Sequence, residues 1–391
     1  MKRKPTVCVI KSRKYPLEEK NIVDGGTLNA HVIVNELRRN GYNIEVFTRN
    51  EGQESTLVEQ PGIRVFRVPF LCSASHDVLL RDYEEGKSFV ENVISHDAFR
   101  PEKYACIHTH HWTSGVGIEQ CIPAQTKLIH TPHLLASEKA HHNKLPFPAQ
   151  VKGAEQALLD RADHVVALSN SEALAAHTTY SCAKGKITLA PNGVDAAFFE
   201  LLSLDDSVSQ SLPVLFIGRR CRQKGIDVLL DATERIIESG VPISLRLVGG
   251  PYGESEFDDF FEARVGKAPL ADIIEQTGEV SYDRIPALLG GSSVYVQPSR
   301  YESQGVALLE AMAAGRIVVA SDLPAIREYI RHGENGLLVD PENPQALADT
   351  LRGVLINLQQ AVPLAHAARN TVKIYTWHRM LQAVLPLFDS S

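Results

Sequence analysis

The stretch PSRYESQGVALLEAMAAG (residues 298–315) places Glu302 and Glu310 eight positions apart, with Gly305 between them. The apolar segment before it predicts a strand, and VALLEAMAAG predicts a helix, so the residues between them form a strand-to-helix loop. In parallel sheets such loops lie at the carboxyl ends of the strands, where helix N-termini favour anions and ligand hydroxyls. The pattern therefore predicts a ligand site in which two carboxylates bracket an extended ligand and the glycine admits it to the backbone.

Two simpler interpretations of this stretch stay open. Glu310 would be a surface residue of the helix and Glu302 a helix cap. Gly305 would be a turn residue that needs a positive φ, so that a bulkier residue destabilises the fold. On the ligand hypothesis, we expect Gly305→Val to block ligand binding and leave the protein folded if φ is ordinary there, since valine then costs at most about 1 kcal/mol in a helical first turn.

Alternating strand and helix patterns extend outward from this stretch. The later series of strands comprises PVLFIG, ISLRLVGG, SVYVQPS, IVVAS and GLLV, with helical patterns such as GIDVLLDATERIIESG between them. An earlier series comprises Val7–Ile10, Asn43–Thr48, Gly62–Arg67, Cys106–His108, Lys127–His130 and His164–Leu168. The alternation predicts an α/β protein with two doubly wound parallel-sheet domains, residues 1–200 and 201–375. We expect a helix at about residues 376–391 to pack back on the first domain.

Composition excludes several classes of protein. The 391 residues carry 40 Lys and Arg against 47 Asp and Glu, a formal net charge of −7, which argues against a nucleic-acid binder. No apolar run approaches the roughly 18 residues of a membrane span, and the start of the chain lacks a signal-peptide pattern. The six cysteines form no CxxC motif, so we expect free thiols and a cytoplasmic protein.

A basic loop follows the first strand of the later series. In GRRCRQKG (residues 218–225), Arg219 and Lys224 are two cations on one strand-to-helix loop, flanked by glycines that allow close approach. Such a loop suits a diphosphate, although a solvated basic loop is the alternative. Arg220 lies beside Arg219, and the sequence leaves open which of the two arginines would contact phosphate.

Taken together, these residues resemble glycosyltransferase family 4, the retaining nucleotide-sugar enzymes of GT-B fold. The resemblance rests on Arg219, Lys224, Glu302 and Glu310 and extends through nearly the whole chain. It includes the motifs DGGTLNAHVIVNELRRNGYNIEVFT, HTHHW, HTPHLL, RADHVVALS, APNGVD, TGEV and ENGLLV.

The resemblance implies a GT-B fold, in which two Rossmann-like domains face a central cleft. In the second domain it implies that Arg219 and Lys224 hold the donor diphosphate and that Glu310 binds the ribose. The sugar and base contacts that it implies there are Glu302, Ser303, Gln304, Gly305, Val306 and Val280. In the first domain it implies a donor contact at Gly26, a sugar-facing His133, and an acceptor side formed by Gly25, Asn29, His110 and His111. The catalytic residues would be His133, Arg219, Lys224 and Glu302.

The histidine-rich motifs HTHHW and HTPH also suggest a metal site, since histidine is the commonest metal ligand. The resemblance implies an enzyme without metal or cofactor, in which the cationic loop stabilises the leaving group. For His133 the alternative is a core histidine. No carboxylate in the amino-terminal motifs suits a covalent intermediate, so we favour a same-face route in which the leaving phosphate takes the acceptor proton.

The motif pair HTHHW and HTPHLL resembles transferases that use UDP-glucose or UDP-N-acetylglucosamine, so we expect a UDP-sugar donor. The expected acceptor is a small soluble aminocyclitol such as 2-deoxystreptamine, in aminoglycoside antibiotic biosynthesis. The alternative acceptors are inositol phosphate, malate, a sugar phosphate, or a cell-surface glycan or lipid. An epimerase, a phosphorylase or a non-catalytic nucleotide-sugar-binding subunit is the remoter alternative. Homodimerisation stays open.

Overall fold

The computed structural model describes residues 5–13, 15, 24–50, 52–202, 204, 212–252 and 255–389. The chain divides into two compact units, one formed by Met1–Asn192 with Trp377–Ser391 and the other by Gly193–Thr376. Each unit is built on a parallel sheet with helices on both faces, which confirms the predicted fold class. Within the described residues, no helix combines the length and the hydropathy that a membrane crossing requires.

The first unit contains an eight-stranded sheet in the order β3-β4-β2-β1-β5-β6-β7-β8. Its strands are β1 (Thr6–Lys11), β2 (Asn43–Asn50), β3 (Thr56–Gln60), β4 (Ile63–Pro69), β5 (Tyr104–His110), β6 (Lys127–Thr131), β7 (His164–Ala167) and β8 (Ile187–Leu189). Its first helices are α1 (Gly25–Arg39), α2 (Val78–Ser95), α3 (Ala136–Asn143), α4 (Ala149–Arg161) and α5 (Asn170–Tyr180). All pairings are parallel except that of β3 with β4.

The second unit contains a six-stranded parallel sheet in the order β11-β10-β9-β12-β13-β14. Its strands are β9 (Val214–Ile217), β10 (Leu245–Val248), β11 (Ile274–Gly278), β12 (Val294–Gln297), β13 (Ile317–Ser321) and β14 (Leu337–Val339). Its helices are α6 (Ala196–Glu200), α7 (Ile226–Glu238), α8 (Ser255–Val265), α9 (Ile285–Gly290), α10 (Val306–Ala313), α11 (Pro344–Ile356) and α12 (Leu358–Thr371).

Burial on both faces explains why the central strands are continuous apolar runs. In β12, Val294 and Val296 pack into one core cluster while Tyr295, between them, packs into another. Successive side chains of a strand point to opposite faces, so a sheet covered on both sides selects apolar residues at every position. The same alternation holds in the first unit, where Val7 and Cys8 belong to different clusters.

The boundary between the units differs from the predicted one at residue 200. It lies between Asn192 and Gly193, because the residues that follow already belong to the second unit. Val194 forms a β-bridge with Thr376, and Phe198 of α6 is fully buried in the core cluster that contains Tyr295. Turn residues such as Gly193 are typical of a linker, but the burial of Phe198 attaches this segment to the second unit.

The last helix, α13 (Trp377–Val384), belongs to the first unit. Its Met380 and Val384, followed by Phe388, join the core cluster that contains Val7 and Val9 of β1. The helix contacts α1 and β8. The core of the first unit is therefore assembled from both ends of the chain.

Candidate active site

Two loops meet at the carboxyl edge of the second sheet. One follows β9 and carries Arg219 and Lys224, and the other follows β12 and carries Glu302. Gly225 ends the first loop with φ +67°, and a Cβ on it would lie 1.9 Å from the carbonyl oxygen of Pro298. Because no side chain fits in that gap, this glycine is what allows the two backbones to pack directly against each other.

The structure brings two of the predicted residues into contact. Lys224 Nζ donates to Glu302 Oε1 at 2.7 Å, and the Ser299 hydroxyl donates to the same oxygen at 2.7 Å. Glu302 is buried and Lys224 is half-buried. A half-buried cation beside a carboxylate can stabilise the charge of a diphosphate while the carboxylate accepts hydrogen bonds from sugar hydroxyls.

The two neighbouring arginines have different surroundings. Arg220 donates to the Glu262 carboxylate, and its guanidinium lies 4.7 Å from the centre of the Phe261 ring. The Arg219 guanidinium lies 3.8 Å from the centre of the Tyr252 ring, and its buried Nη1 has no hydrogen-bond partner among the described residues. Arg220 Nε is also buried without a hydrogen-bond partner among the described residues, but the Arg220 guanidinium is already bonded to a carboxylate, whereas no carboxylate pairs with Arg219 there.

Glu310 lies on α10 and is almost fully buried. Tyr282 Oη donates to its Oε1 at 2.7 Å. Burial raises the pKa of Glu310 to about 8, the Tyr282 hydrogen bond opposes this shift, and the charge of Asp195 adds to it. A carboxyl with this pKa carries a proton at pH 7, so it can donate to one hydroxyl of a diol and accept from the other. Val280 follows β11 and packs against the same apolar cluster as Tyr282.

The backbone at Gly305 corrects one expectation. This residue precedes the first residue of α10 with φ +86°, and a Cβ on it would lie 2.9 Å from Gln297 Nε2 and 3.0 Å from Tyr329 Oη. The expectation that Gly305→Val leaves the protein folded assumed an ordinary φ, and the structure does not meet that condition, because both the dihedral and the packing require glycine. What approaches this backbone is the protein itself, since Tyr329 Oη also donates to the Gln304 carbonyl at 2.5 Å. Ser303 and Gln304 are buried and Val306 is half-buried.

In the first unit, histidines gather at the carboxyl ends of β5 and β6. His110 Nδ1 and His133 Nε2 are 2.9 Å apart and share one hydrogen bond. His133 has φ +57°, and a Cβ on Gly26 would lie 3.6 Å from the His133 ring. Burial lowers the pKa of both imidazoles well below the ordinary value, so both are neutral at pH 7 and one donates to the other. His108 is fully buried and lies 2.8 Å from the Thr131 hydroxyl through Nε2, as expected for a core histidine.

Cationic groups surround His111 and the start of α1. The pKa of His111 is lowered first by burial and then by the charges of Arg13 and Lys139. Asp24 caps α1 through the Thr27 amide at 2.8 Å; although burial opposes its ionisation, Lys11 and Arg13 hold its pKa well below the usual range.

The other predicted acceptor-side residues lie in the first turns of α1. Gly25 is its first residue. Asn29 is completely buried and donates to Asn192 Oδ1 at 2.7 Å, so its amide is held inside the unit. Within the part of the chain that the structure describes, no three His, Cys, Asp or Glu residues are grouped so as to hold a metal ion.

Several residues of the site were not predicted. Tyr282, Ser299 and Asp24 bond directly to predicted residues or to the helix that carries them. Asp24 had a sequence signal, because an aspartate immediately before a helical pattern is a common N-cap. Arg300 lies within residues 298–315, but its partners are distant in sequence and no local pattern reveals them.

Two parallel-sheet units, with a cationic loop and two glutamates at the carboxyl edge of the second, define the class of GT-B glycosyltransferases. Structural comparison supports this fold. Sucrose-phosphate synthase from Thermosynechococcus elongatus is similar with a TM-score of 0.77 and 23% identity, covering 98% of both chains. Anabaena HepE in complex with UDP-glucose is similar with a TM-score of 0.75 and 20% identity, covering 97% of this chain and 98% of HepE.

Sequence comparison identifies the family. The model of glycosyl transferases group 1 matches residues 207–371, and that of Glycosyltransferase Family 4 matches residues 23–198. A D-inositol 3-phosphate glycosyltransferase of Xylanimonas cellulosilytica is 30% identical over 410 aligned positions, covering 99% of this chain and 97% of the relative. One of the same name from Paenarthrobacter aurescens is 28% identical, covering 93% of each chain. The chain therefore belongs to glycosyltransferase family 4, as the sequence motifs predicted, and is a transferase.

Proposed function

We propose that this protein is a retaining, UDP-sugar-dependent hexosyltransferase whose acceptor is an inositol phosphate. The observation that carries the donor assignment is the pairing of Lys224 with Glu302 at 2.7 Å, beside the N-terminus of α10. This arrangement offers positive charge to a departing diphosphate and a carboxylate to sugar hydroxyls. HepE, with which the chain shares its fold, binds UDP-glucose, which supports UDP as the nucleotide.

The acceptor proposal combines the relatives with local charge. The relatives are named for inositol 3-phosphate, one of the alternative acceptors derived from the sequence. No finding supports the aminocyclitol of antibiotic biosynthesis that the sequence favoured. In the first unit, the charges of Lys11 and Arg13 act on Asp24, and those of Arg13 and Lys139 act on His111. Lys139 is paired with Asp82 at 2.9 Å, so three cations stand against the two carboxylates Asp24 and Asp82, and this small excess suits an anionic acceptor better than a cationic one.

The proposed chemistry needs no covalent enzyme intermediate. The bond between the anomeric carbon and the diphosphate oxygen breaks, Arg219 and Lys224 stabilise the charge that develops on the diphosphate, and the acceptor oxygen bonds to the anomeric carbon on the same face. The acceptor proton passes to the leaving phosphate. A neutral His133, oriented by His110, would hold a hydroxyl of the transferred sugar.

The test is a matched set of acceptors. The purified protein is incubated with UDP-glucose or UDP-N-acetylglucosamine. The acceptor is inositol 3-phosphate, unphosphorylated inositol, 2-deoxystreptamine or malate, and the products are identified by mass spectrometry. We expect a hexosyl adduct of inositol 3-phosphate and at most a trace with inositol, since the two differ only in the phosphate. An adduct of 2-deoxystreptamine alone would overturn the acceptor proposal and leave the donor proposal standing. Turnover of neither UDP-sugar with any acceptor would overturn both.

A further inference from the structure

Arg300 lies at the carboxyl edge of the second sheet, and it is only 4% exposed. Its Nη1 and Nη2 donate to Oδ1 and Oδ2 of Asp227, each at 2.8 Å. Its Nε donates to Glu342 Oε1 at 3.0 Å, and Nη1 also donates to the carbonyl of Arg222. The contact with Asp227 is a bidentate arginine–carboxylate pair. Together with the bonds to Glu342 and Arg222, it fixes the guanidinium in position and in orientation.

Two of the partners of Arg300, Arg222 and Asp227, lie on either side of Lys224 in the sequence. Arg222 belongs to the short 3-10 turn Arg222–Lys224, and Asp227 lies in the first turn of α7, which begins after Gly225. The backbone N–H of Arg300 donates to the Gln223 carbonyl at 2.8 Å as well. Arg300 therefore stabilises the turn that carries Lys224 in two ways. It bonds to backbone carbonyls within the turn, and it bonds to Asp227 in the helix that follows the turn.

Arg300 is also part of the loop after β12, which carries Glu302. It lies between Ser299 and Tyr301, so the strand end that it anchors leads directly to Glu302, the partner of Lys224. The Gln223 side chain donates back to the Tyr301 carbonyl at 3.3 Å. The separation between the Lys224 ammonium and the Glu302 carboxylate is thus set by a framework whose central member is Arg300.

We propose that Arg300 is a positioning residue of the donor site, which acts on the nucleotide-sugar diphosphate through Lys224. This inference rests on the proposed function, in which Lys224 contacts that diphosphate. Lysine cannot replace arginine here, because an ammonium is a single point of charge and cannot bond both carboxylate oxygens and a carbonyl in one plane. Arg300→Lys keeps the charge and removes the geometry.

The experiment is a double-mutant cycle with Lys224→Ala, measured by steady-state kinetics with UDP-glucose and by calorimetric titration of UDP. We expect Arg300→Lys to lower kcat/KM by about 10- to 100-fold, the scale of a misplaced catalytic group. In the Lys224→Ala background, the same change should have little further effect, because the residue through which it acts is gone.

The matched control is Arg264→Lys. Arg264 of α8 also bonds two carboxylates of α7, Asp231 and Glu234, the second at 2.5 Å, and both lie further along α7 than Asp227, away from the turn that carries Lys224. We expect this variant to keep the wild-type kcat/KM. If Arg264→Lys impairs activity as much as Arg300→Lys, anchoring of α7 in general explains the effect and the proposal is overturned.

Other outcomes separate this proposal from the proposed function. An equal loss from Arg300→Lys in both backgrounds, tracking the fall in melting temperature, would mean a purely structural role. Full activity of Lys224→Ala would instead refute the donor assignment itself. If Arg300→Lys does not fold, Asp227→Asn removes the same paired charge with nearly unchanged volume, and wild-type kinetics in that variant would overturn the proposal.

Discussion

Gly305→Ala is expected to destabilise the second unit through two separable costs. Alanine at φ +86° lies in the left-handed region, which costs about 1–2 kcal/mol. Its Cβ would also lie 2.9 Å from Gln297 Nε2 and 3.0 Å from Tyr329 Oη. Both side chains are buried, so neither can retreat into solvent. Overpacking of this kind costs about 1–3 kcal/mol.

The two costs together come to about 2–5 kcal/mol, a large part of the roughly 5–15 kcal/mol that stabilises a typical protein. For a unit of this size, the melting temperature should fall by about 4–20 °C, measured by differential scanning calorimetry. Gly240→Ala is the matched control, because Gly240 has φ +77° and a Cβ there meets nothing within 4 Å. It should show the dihedral cost alone. The packing argument is refuted if Gly305→Ala melts no lower than Gly240→Ala.

Three further outcomes are expected. Lys224→Ala should lower kcat by about 10²- to 10⁴-fold, as for the loss of one stabiliser of developing charge, and an unchanged rate would contradict the diphosphate contact. Activity should persist in excess chelator; complete loss restored by a divalent cation would contradict the metal-free proposal. Burial lowers the pKa of His108 to about 3, so its contribution to stability is complete above the unfolded value of about 6.5 and is lost as pH falls from there towards 3. In denaturant titrations, His108→Gln should therefore reduce the slope of stability against pH by about 1.4 kcal/mol per unit between those values, and an unchanged slope would place that pKa near its ordinary range.

Burial determines which strands could be predicted from the sequence. β12 is buried at all four positions and stands out as an apolar run, whereas most positions of β3 are exposed. Two further edge strands, β8 and β11, likewise lack a continuous apolar run. Edge strands are held by backbone hydrogen bonds on one side, and those bonds leave no trace in side-chain composition.

Some features of the site could be predicted from local sequence patterns, and others depend on residues that are distant in the sequence. That Lys224 and Glu302 would come together follows from the rule that strand ends of a parallel sheet share one edge. The role of Arg300 could not be predicted, since its bidentate contact with Asp227 depends on tertiary geometry. The reason for Gly305 required a dihedral angle and two contacts, and the sequence alone favoured a ligand in their place.

The chain leaves the first unit at Asn192 and returns to it at Trp377, so the second unit is an insertion within the first. During synthesis the inserted unit is complete before α13 has emerged, and it can fold while Val7 and Val9 still lack their last core partners. The unit synthesised first is therefore the last to finish folding. Until then, the core cluster that β1 shares with α1 lacks Met380 and Phe388, so the first unit exposes part of its apolar core for longer than the unit inserted into it.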